Sequence, residues 1–301
     1  MAPIEHDRSL HLHIGLLLLL AVIWSSSFTM IKVAVESIPP LTLVAARLVI
    51  AAVFLIVFLK VRGKHLPSFG KAWMPLAIVA FTGNSLPFFL ISWGEAGIDS
   101  GQAVIMMAVM PLATLVLAHF YTQTDKITPL KFIGLSIGLL GVLILVGPSA
   151  LSGLGGSFIR ELAVAGAAIS YAITTVYIRR MPTGGDPIER SSGVMLCAAL
   201  QMVPISLMID QPWLLEISLA SIWANLYLGL FPTALAAIIH FHLIAARGTT
   251  FFSVVNYIIP GMGVAWGAMF LGEQVTWNMI VALVVILSGI AIANLKRVQK
   301  Q

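Results

Sequence analysis

Ten apolar stretches, each about the length of a bilayer crossing, fill nearly all of this 301-residue chain. A crossing helix needs about 20 mostly apolar residues. Such stretches run near 14–35, 41–60, 72–94, 100–121, 129–147, 160–179, 190–209, 219–245, 250–271 and 276–295. Hydrophobic residues make up 59% of the sequence and charged residues 10%, against roughly 25% charged in an ordinary soluble domain. The connections are short and leave no room for a soluble catalytic or nucleotide-binding domain. The expected fold is therefore an all-α integral membrane protein with ten transmembrane helices. The first stretch could pass for a signal peptide. Its flank is His-rich rather than strongly basic, and no small-x-small cleavage site follows Leu16–Leu20, so it reads as a retained span.

The last five spans read as a repeat of the first five, dividing the chain into units 1–150 and 151–301. Trp24-Ser25-Ser26-Ser27-Phe28 aligns with Tyr171-Ala172-Ile173-Thr174-Thr175, and Lys32 then meets Arg179. Further on, Met110-Pro111 falls on Ile259-Pro260, Thr128 on Thr276 and Gly141 on Gly289. An odd number of spans per unit turns the second unit upside down in the membrane. Two inverted units around one central site is an arrangement of secondary transporters.

The prolines and polar groups inside the spans single out where that site would lie. Proline removes a helical hydrogen bond and crowds the preceding turn, and in hydrocarbon the freed carbonyl needs another partner. Pro87, Pro111, Pro232 and Pro260 lie within spans three, four, eight and nine and are the expected hinges. Intramembrane polar groups are costly and so are functional candidates. The expected substrate-binding residues are Trp24, Ser27, Asn84, Trp93, Gln102, Met106, Tyr171, His240, Asn256 and Tyr257. Plain core packing competes for Met106, and interfacial anchoring competes for Trp93. Arg47, several residues inside span two, is expected to snorkel or to pair with Glu36 or Glu95, with attraction of a carboxylate as the alternative. His240 and His242 are two apart and so lie on different helix faces, which argues against a metal site. No acid is read as lying at mid-membrane, and His240 is the best-placed titratable group. Gly134, Gly138 and Gly141 in span five favour close helix packing, with a homodimer face as the weaker reading. Gln201 and Pro204 in span seven have no assigned role beyond packing.

The charges sort by side. Lys60, Arg62, Lys64, Lys71, Lys126, Lys131, Arg179, Arg180, Arg190, Arg247 and the carboxy-terminal Lys296, Arg297 and Lys300 share the side of Arg8. The positive-inside rule places that side, and both termini, in the cytoplasm. The basic excess thus reflects topology rather than nucleic-acid binding. The single cysteine, Cys197, permits no internal disulfide.

Trp24-Ser25-Ser26-Ser27-Phe28, Pro40-Leu41 with Ala45-Ala46-Arg47, and Gly272-Glu273 closing span nine resemble the EamA-type drug/metabolite transporters over essentially the whole chain. The resemblance implies ten helices in an inverted repeat around a central cavity, with both termini cytoplasmic. The YddG-type aromatic amino-acid exporters are one branch of that family. The first unit departs from the pattern, with Gln123-Thr124-Asp125 where Gly272-Glu273 stands in the second. The expected function is export of small metabolites, amino acids foremost, from a bacterial inner membrane by alternating access, with a drug- or nucleotide-sugar-like carrier of the same fold, a membrane-embedded enzyme or a channel as alternatives. A small-molecule substrate and the lipid bilayer are the expected partners, without cofactor, metal or nucleic acid, as a monomer or a homodimer. A membrane enzyme would want clustered carboxylates, an activated nucleophile or metal-spaced histidines. A channel would want charged rings or a carbonyl filter. The spans carry none of these patterns.

Overall fold

A computed structural model describes residues 3–68, 70–71, 73–121, 126–151, 156–179, 181 and 186–295. Among the described residues the chain is helical, with no strand. The helices are α1 (Pro3–Ala34), α2 (Pro40–Val61), α3 (Trp73–Ala80), α4 (Leu86–Glu95), α5 (Ser100–Met106), α6 (Val109–Tyr121) and α7 (Pro129–Leu151). They continue with α8 (Gly156–Ile178), α9 (Pro187–Ile209), α10 (Leu219–Leu228), α11 (Ala236–Phe252), α12 (Val255–Leu271) and α13 (Trp277–Asn294). Among the described residues nine helical stretches are long and apolar enough to cross a membrane, and Val255–Leu271 is a shorter apolar helix. The Gln123-Thr124-Asp125 segment and Arg180, Lys296, Arg297 and Lys300 lie outside the described residues.

Two crossings are not α-helical throughout. Phe81–Ser85 joins α3 to α4 as a π-helical turn, and Gly229–Leu235 joins α10 to α11 in the same way. A π turn widens the helix and leaves the hydrogen-bond ladder out of step. Both carry the mark of a nearby proline: Pro87 opens α4, and Pro232 sits within the second turn.

Two other helices break near, but not at, the expected prolines. The chain turns at Met107–Ala108 between α5 and α6, and at Ser253–Val254 between α11 and α12. Pro111 and Pro260 both lie within continuous helix. The first displacement has a simple cause. Pro111 cannot bond to the carbonyl four residues back, that of Met107, and its ring crowds it. That carbonyl instead accepts the Met110 amide at 3.0 Å, in a tighter turn. The same tightening occurs at the second break, where Asn256 donates to Ser253 at 3.1 Å. Gly248 adds a sharp reversal at φ 81°, within what is otherwise continuous α11, and so separates two crossings. A left-handed backbone there favours glycine.

Packing sorts the helices into a central set and flanking pairs. α1 packs on α12, α10 and α11, while α8 packs on α4 and α6. α2 packs on α9, and α7 on α13. The α7–α13 contact is close because it is built from glycine. A methyl group on Gly289 would lie 2.5 Å from the Gly138 nitrogen and 2.6 Å from the Gly134 carbonyl oxygen. One on Gly141 would meet the Ile286 side chain at 2.6 Å. The glycine stripe of span five is therefore spent on the chain's own last helix, not offered as a homodimer face.

Gly289→Leu is expected to lower the midpoint of thermal unfolding in detergent, by overpacking worth on the order of 3 kcal/mol. Gly147→Leu, at a position with nothing within 4 Å of an added carbon, is expected to leave the midpoint unchanged. Fluorescence-detected gel filtration after heating compares the two.

Candidate functional site

Side chains hydrogen-bond to backbone carbonyls in and beside the two π turns. At Gly229–Leu235, Pro232 has no amide hydrogen to give the Leu228 carbonyl four residues back. The Thr233 hydroxyl donates to it at 2.7 Å. Arg47 on α2 then donates Nε to the Thr233 hydroxyl oxygen at 2.8 Å. Trp24 on α1 donates Nε1 to the Pro232 carbonyl at 3.2 Å.

The turn at Phe81–Ser85 is served from the other half of the chain. On α8, Ser170 donates to the Thr82 carbonyl at 2.6 Å, and Thr174 donates to the Thr82 hydroxyl at 2.7 Å. Gln201 on α9 donates Nε2 to the Ala77 carbonyl at 3.0 Å and accepts the Ser85 hydroxyl at 2.8 Å. That is the role the sequence left unassigned for Gln201. The two turns are thus held alike, one by α1 and α2, the other by α8 and α9.

Arg47 departs from its expected behaviour. It is 4% exposed, so it does not snorkel. Both Glu95 carboxylate oxygens lack a hydrogen-bond partner, so the expected pairing with Glu95 does not form. The guanidinium instead lies over the Phe88 ring, 3.8 Å from its centroid, a cation–π contact between α2 and α4.

The three serines of α1 radiate to different neighbours. Ser25 accepts from Trp266 Nε1 on α12 at 2.9 Å. Ser26 shares a 2.7 Å hydrogen bond with the Tyr227 hydroxyl on α10. Ser27 turns back to the Trp24 carbonyl at 2.6 Å. His240 packs beside Trp24 and Phe252, with ring centroids 5.8 Å and 4.4 Å away. His242 stacks instead on His13 at 5.6 Å. Asn84 is buried in the first π turn, and Gln102 is half-buried in α5. Tyr171 is half-buried against the core. Four candidates lie apart from this centre. Met106 is packed in the core, 1% exposed. Tyr257 points to α13, where Asn294 donates to its hydroxyl at 2.9 Å. Asn256, its neighbour, is exposed. Trp93 carries Arg160 over its ring at 3.8 Å and accepts from it through its carbonyl.

Arg160 belongs to a cluster that ties the end of the bundle at the α4–α5 connection. Lys32 at the end of α1 donates Nζ to the Glu95 carbonyl at 2.9 Å and the Ile98 carbonyl at 2.7 Å. A cation suits the negative end of a helix dipole there. Glu273 does the converse at the start of α5, accepting the Ser100 and Gly101 amides at 2.7 and 3.0 Å. Gly272 delivers it, closing α12 with φ 66°. A shallow pocket of about 540 Å³ lies over this cluster, lined by Lys32, Glu36, Asp99 and Glu273 among others. α5 packs on α12, α1 and α8. At the opposite end α6 packs on α8 and α7, and among the described residues no comparable interface joins α6 to α11 or α12. An ion pair between Lys64 and Asp186 links two connections at that end. Among the described residues no group of three metal-ligating side chains gathers.

This is a multi-pass membrane protein whose buried polar groups converge on two interrupted helices. Residues 11–147 and, again, residues 159–295 match the EamA-like transporter family. The chain belongs to that family and is a membrane transporter. It is 26% identical over 270 residues to the uncharacterized transporter YoaV of Bacillus subtilis, covering 89% of this chain and 92% of that one. It is 28% identical over 285 residues to the uncharacterized inner membrane transporter YedA of Escherichia coli, covering 93% and 90%. It is 26% identical to a probable amino-acid metabolite efflux pump of Salmonella typhimurium, covering 92% and 93%. One crystal structure shares the fold with a TM-score of 0.65 at 18% identity, over 94% of this chain and 97% of its own.

Two outcomes test the polar ties. Gln201→Leu strips the partners of the Ala77 carbonyl and the Ser85 hydroxyl and is expected to cost about 1–3 kcal/mol of stability, read as a lower unfolding midpoint in detergent. The second concerns pH. The Lys64 ammonium bonded to Asp186 holds that carboxyl below its ordinary range, helped by the Ile188 and Glu189 amides. A depressed folded pKa gives stability above the unfolded value that is lost as pH falls through the folded one. Asp186→Asn should therefore flatten the acid side of a midpoint-against-pH curve.

Proposed function

We propose that this protein is a secondary carrier built of ten membrane helices in two inverted five-helix units, moving amino acids and related small metabolites out of the cytoplasm. The observation that carries the reading is the pairing of interruptions. Each half of the chain has one π-interrupted crossing and one crossing broken by a turn, and the family match repeats across the same halves. Carriers of this class bind substrate where discontinuous helices from two repeats meet. The family resemblance and the name of the Salmonella relative favour amino acids.

The chemistry of the centre fits an amphoteric, partly apolar substrate. Arg47 offers a buried cation for a carboxylate, with its Nε and ring-facing surface already fixed by Thr233 and Phe88. Trp24, Phe252 and His240 offer aromatic surface for a side chain. The positive-inside rule makes the α4–α5 end external and both termini cytoplasmic, in a bacterial inner membrane. On that orientation the outer end is tied by Lys32, Arg160 and Glu273, while α6 stands apart from α11 and α12 at the inner end. The conformation is inward-facing. Alternating access releases the outer ties and closes α6 against the start of the second broken crossing.

Counterflow of radiolabelled amino acids in proteoliposomes tests the reading. Saturable, competable exchange is expected. Arg47→Gln and Trp24→Ala are each expected to reduce exchange about tenfold, on the order of 1.4 kcal/mol of lost binding, with normal membrane insertion. Wild-type exchange in both variants removes these residues from the site. Absence of exchange with every amino acid, from folded protein, rejects that substrate class.

A further inference from the structure

The carboxylate of Glu95 is the one acidic group that the fold buries completely and leaves without a hydrogen-bond partner among the described residues. Glu95 is 0% exposed, and neither carboxylate oxygen is bonded. It ends α4, while the Lys32 ammonium that reaches this turn spends its hydrogen bonds on the Glu95 and Ile98 carbonyls. An unbonded buried carboxylate is costly to keep charged. It persists where it serves a purpose other than stability.

Glu95's own helix and the neighbouring α1 each carry a further unsatisfied hydroxyl. Ser92 Oγ, three residues earlier on α4, and Thr29 Oγ1, three residues before Lys32 on α1, are both buried and unbonded. Ser92 is 0% and Thr29 1% exposed. Residues three apart share a helix face, and α1 packs on α4. The hydroxyls therefore lead from Glu95 toward the middle of the bundle. The charged groups that bear on Glu95 from its neighbours are Lys32 on α1, Arg47 on α2 and Glu273 after α12. Arg160 and Glu161 open the facing turn of α8, Tyr171 lies deeper on the same helix, and Asp99 precedes α5. Over the cluster lies the open pocket with Glu36, Asp99 and Glu273 on its wall.

We infer that Glu95 is a proton-binding site that couples transport to the proton gradient, loaded from the outer pocket when the Lys32 and Glu273 ties open and discharged inward past Ser92 and Thr29. Each cycle adds one proton to the carboxylate oxygen, giving the neutral acid, and removes the same proton on the other side. The neutral acid also no longer opposes the charge of Arg47, so its protonation state bears on a carboxylate held there. This inference rests on the carrier reading above for its coupling and on the geometry alone for its proton site.

Two measurements on the full-length protein separate those dependencies. Difference infrared spectra between acidic and alkaline buffer, without any substrate, report a protonated-carboxyl stretch. The wild type is expected to show that band and Glu95→Gln to lack it, while Glu95→Asp retains one. In proteoliposomes, a pH gradient is expected to stimulate wild-type amino-acid flux. Glu95→Gln is expected to keep gradient-free counterflow and lose about tenfold of the gradient response, the size of an ordinary coupling factor. A band unchanged in Glu95→Gln overturns the proton site. Wild-type flux indifferent to the gradient, or a gradient response preserved in Glu95→Gln, overturns the coupling. Absence of all amino-acid flux from the wild type rejects the substrate class instead, and the infrared band still decides the proton site.

Discussion

The centre of this bundle is organised by side chains that hydrogen-bond to backbone carbonyls in and beside its two π turns. Water is scarce inside a membrane protein, so a backbone group released by a π turn or a proline must find a side chain. Thr233 covers the Leu228 carbonyl, Trp24 the Pro232 carbonyl, Ser170 the Thr82 carbonyl and Gln201 the Ala77 carbonyl. Those side chains come from α1, α8 and α9, as well as from the second turn itself. The interruptions therefore determine which helices must be neighbours. Arg47 is held in the core as a consequence, because Thr233 is turned to serve Leu228 and presents its oxygen to Arg47.

The two ends of the bundle are tied by different means. At the α4–α5 end, Lys32 and Glu273 bind backbone groups at opposite helix ends, where the dipoles favour them. The first unit has Gln123-Thr124-Asp125 where the second has Gly272-Glu273, so a matching clamp is absent from its sequence. In the proposed carrier, a substrate shifts the balance between two facing states only by its differential affinity for them.

Much of the architecture was legible in the sequence because its physical basis is periodic or compositional. The helix boundaries follow from hydropathy and proline, and α2, α5 and α7 begin at the expected places. The glycine stripe announced close packing but not its partner, because the sequence of α7 does not say which helix lies against it. The prolines announced interruptions, yet the breaks fall at Met107–Ala108 and Ser253–Val254; the first lies where Pro111 disturbs the preceding turn, while the second lies beyond the turn that Pro260 disturbs. The tie made by Gln201 and the unbonded carboxylate of Glu95 are illegible in the sequence for a common reason. Their roles depend on what lies across a helix–helix interface: a π turn for Gln201, and an absence of donors for Glu95. Neither leaves a mark in its own local sequence. Snorkelling or pairing with Glu36 or Glu95 is the expectation for Arg47 from its place inside span two, because its burial is set by α4 and the second π turn, which its own sequence does not reveal.

Hydrogen bonds, rather than apolar contact, are suited to hold such a centre while allowing it to move. Apolar surface has little preference between another helix and lipid, so packing within the bilayer is not driven by the hydrophobic effect. A hydroxyl such as Thr233 both donates and accepts, and can exchange partners without leaving a carbonyl bare. The flanking pairs show the contrast. α7 and α13 meet through glycine backbones that admit no added carbon, and a contact that close has no second arrangement. The central helices meet through serine, threonine, glutamine and arginine, whose bonds have alternatives. The glycine-locked α7–α13 pair and the hydroxyl-bridged centre therefore differ in kind: only the second has contacts that can be exchanged without separating the helices.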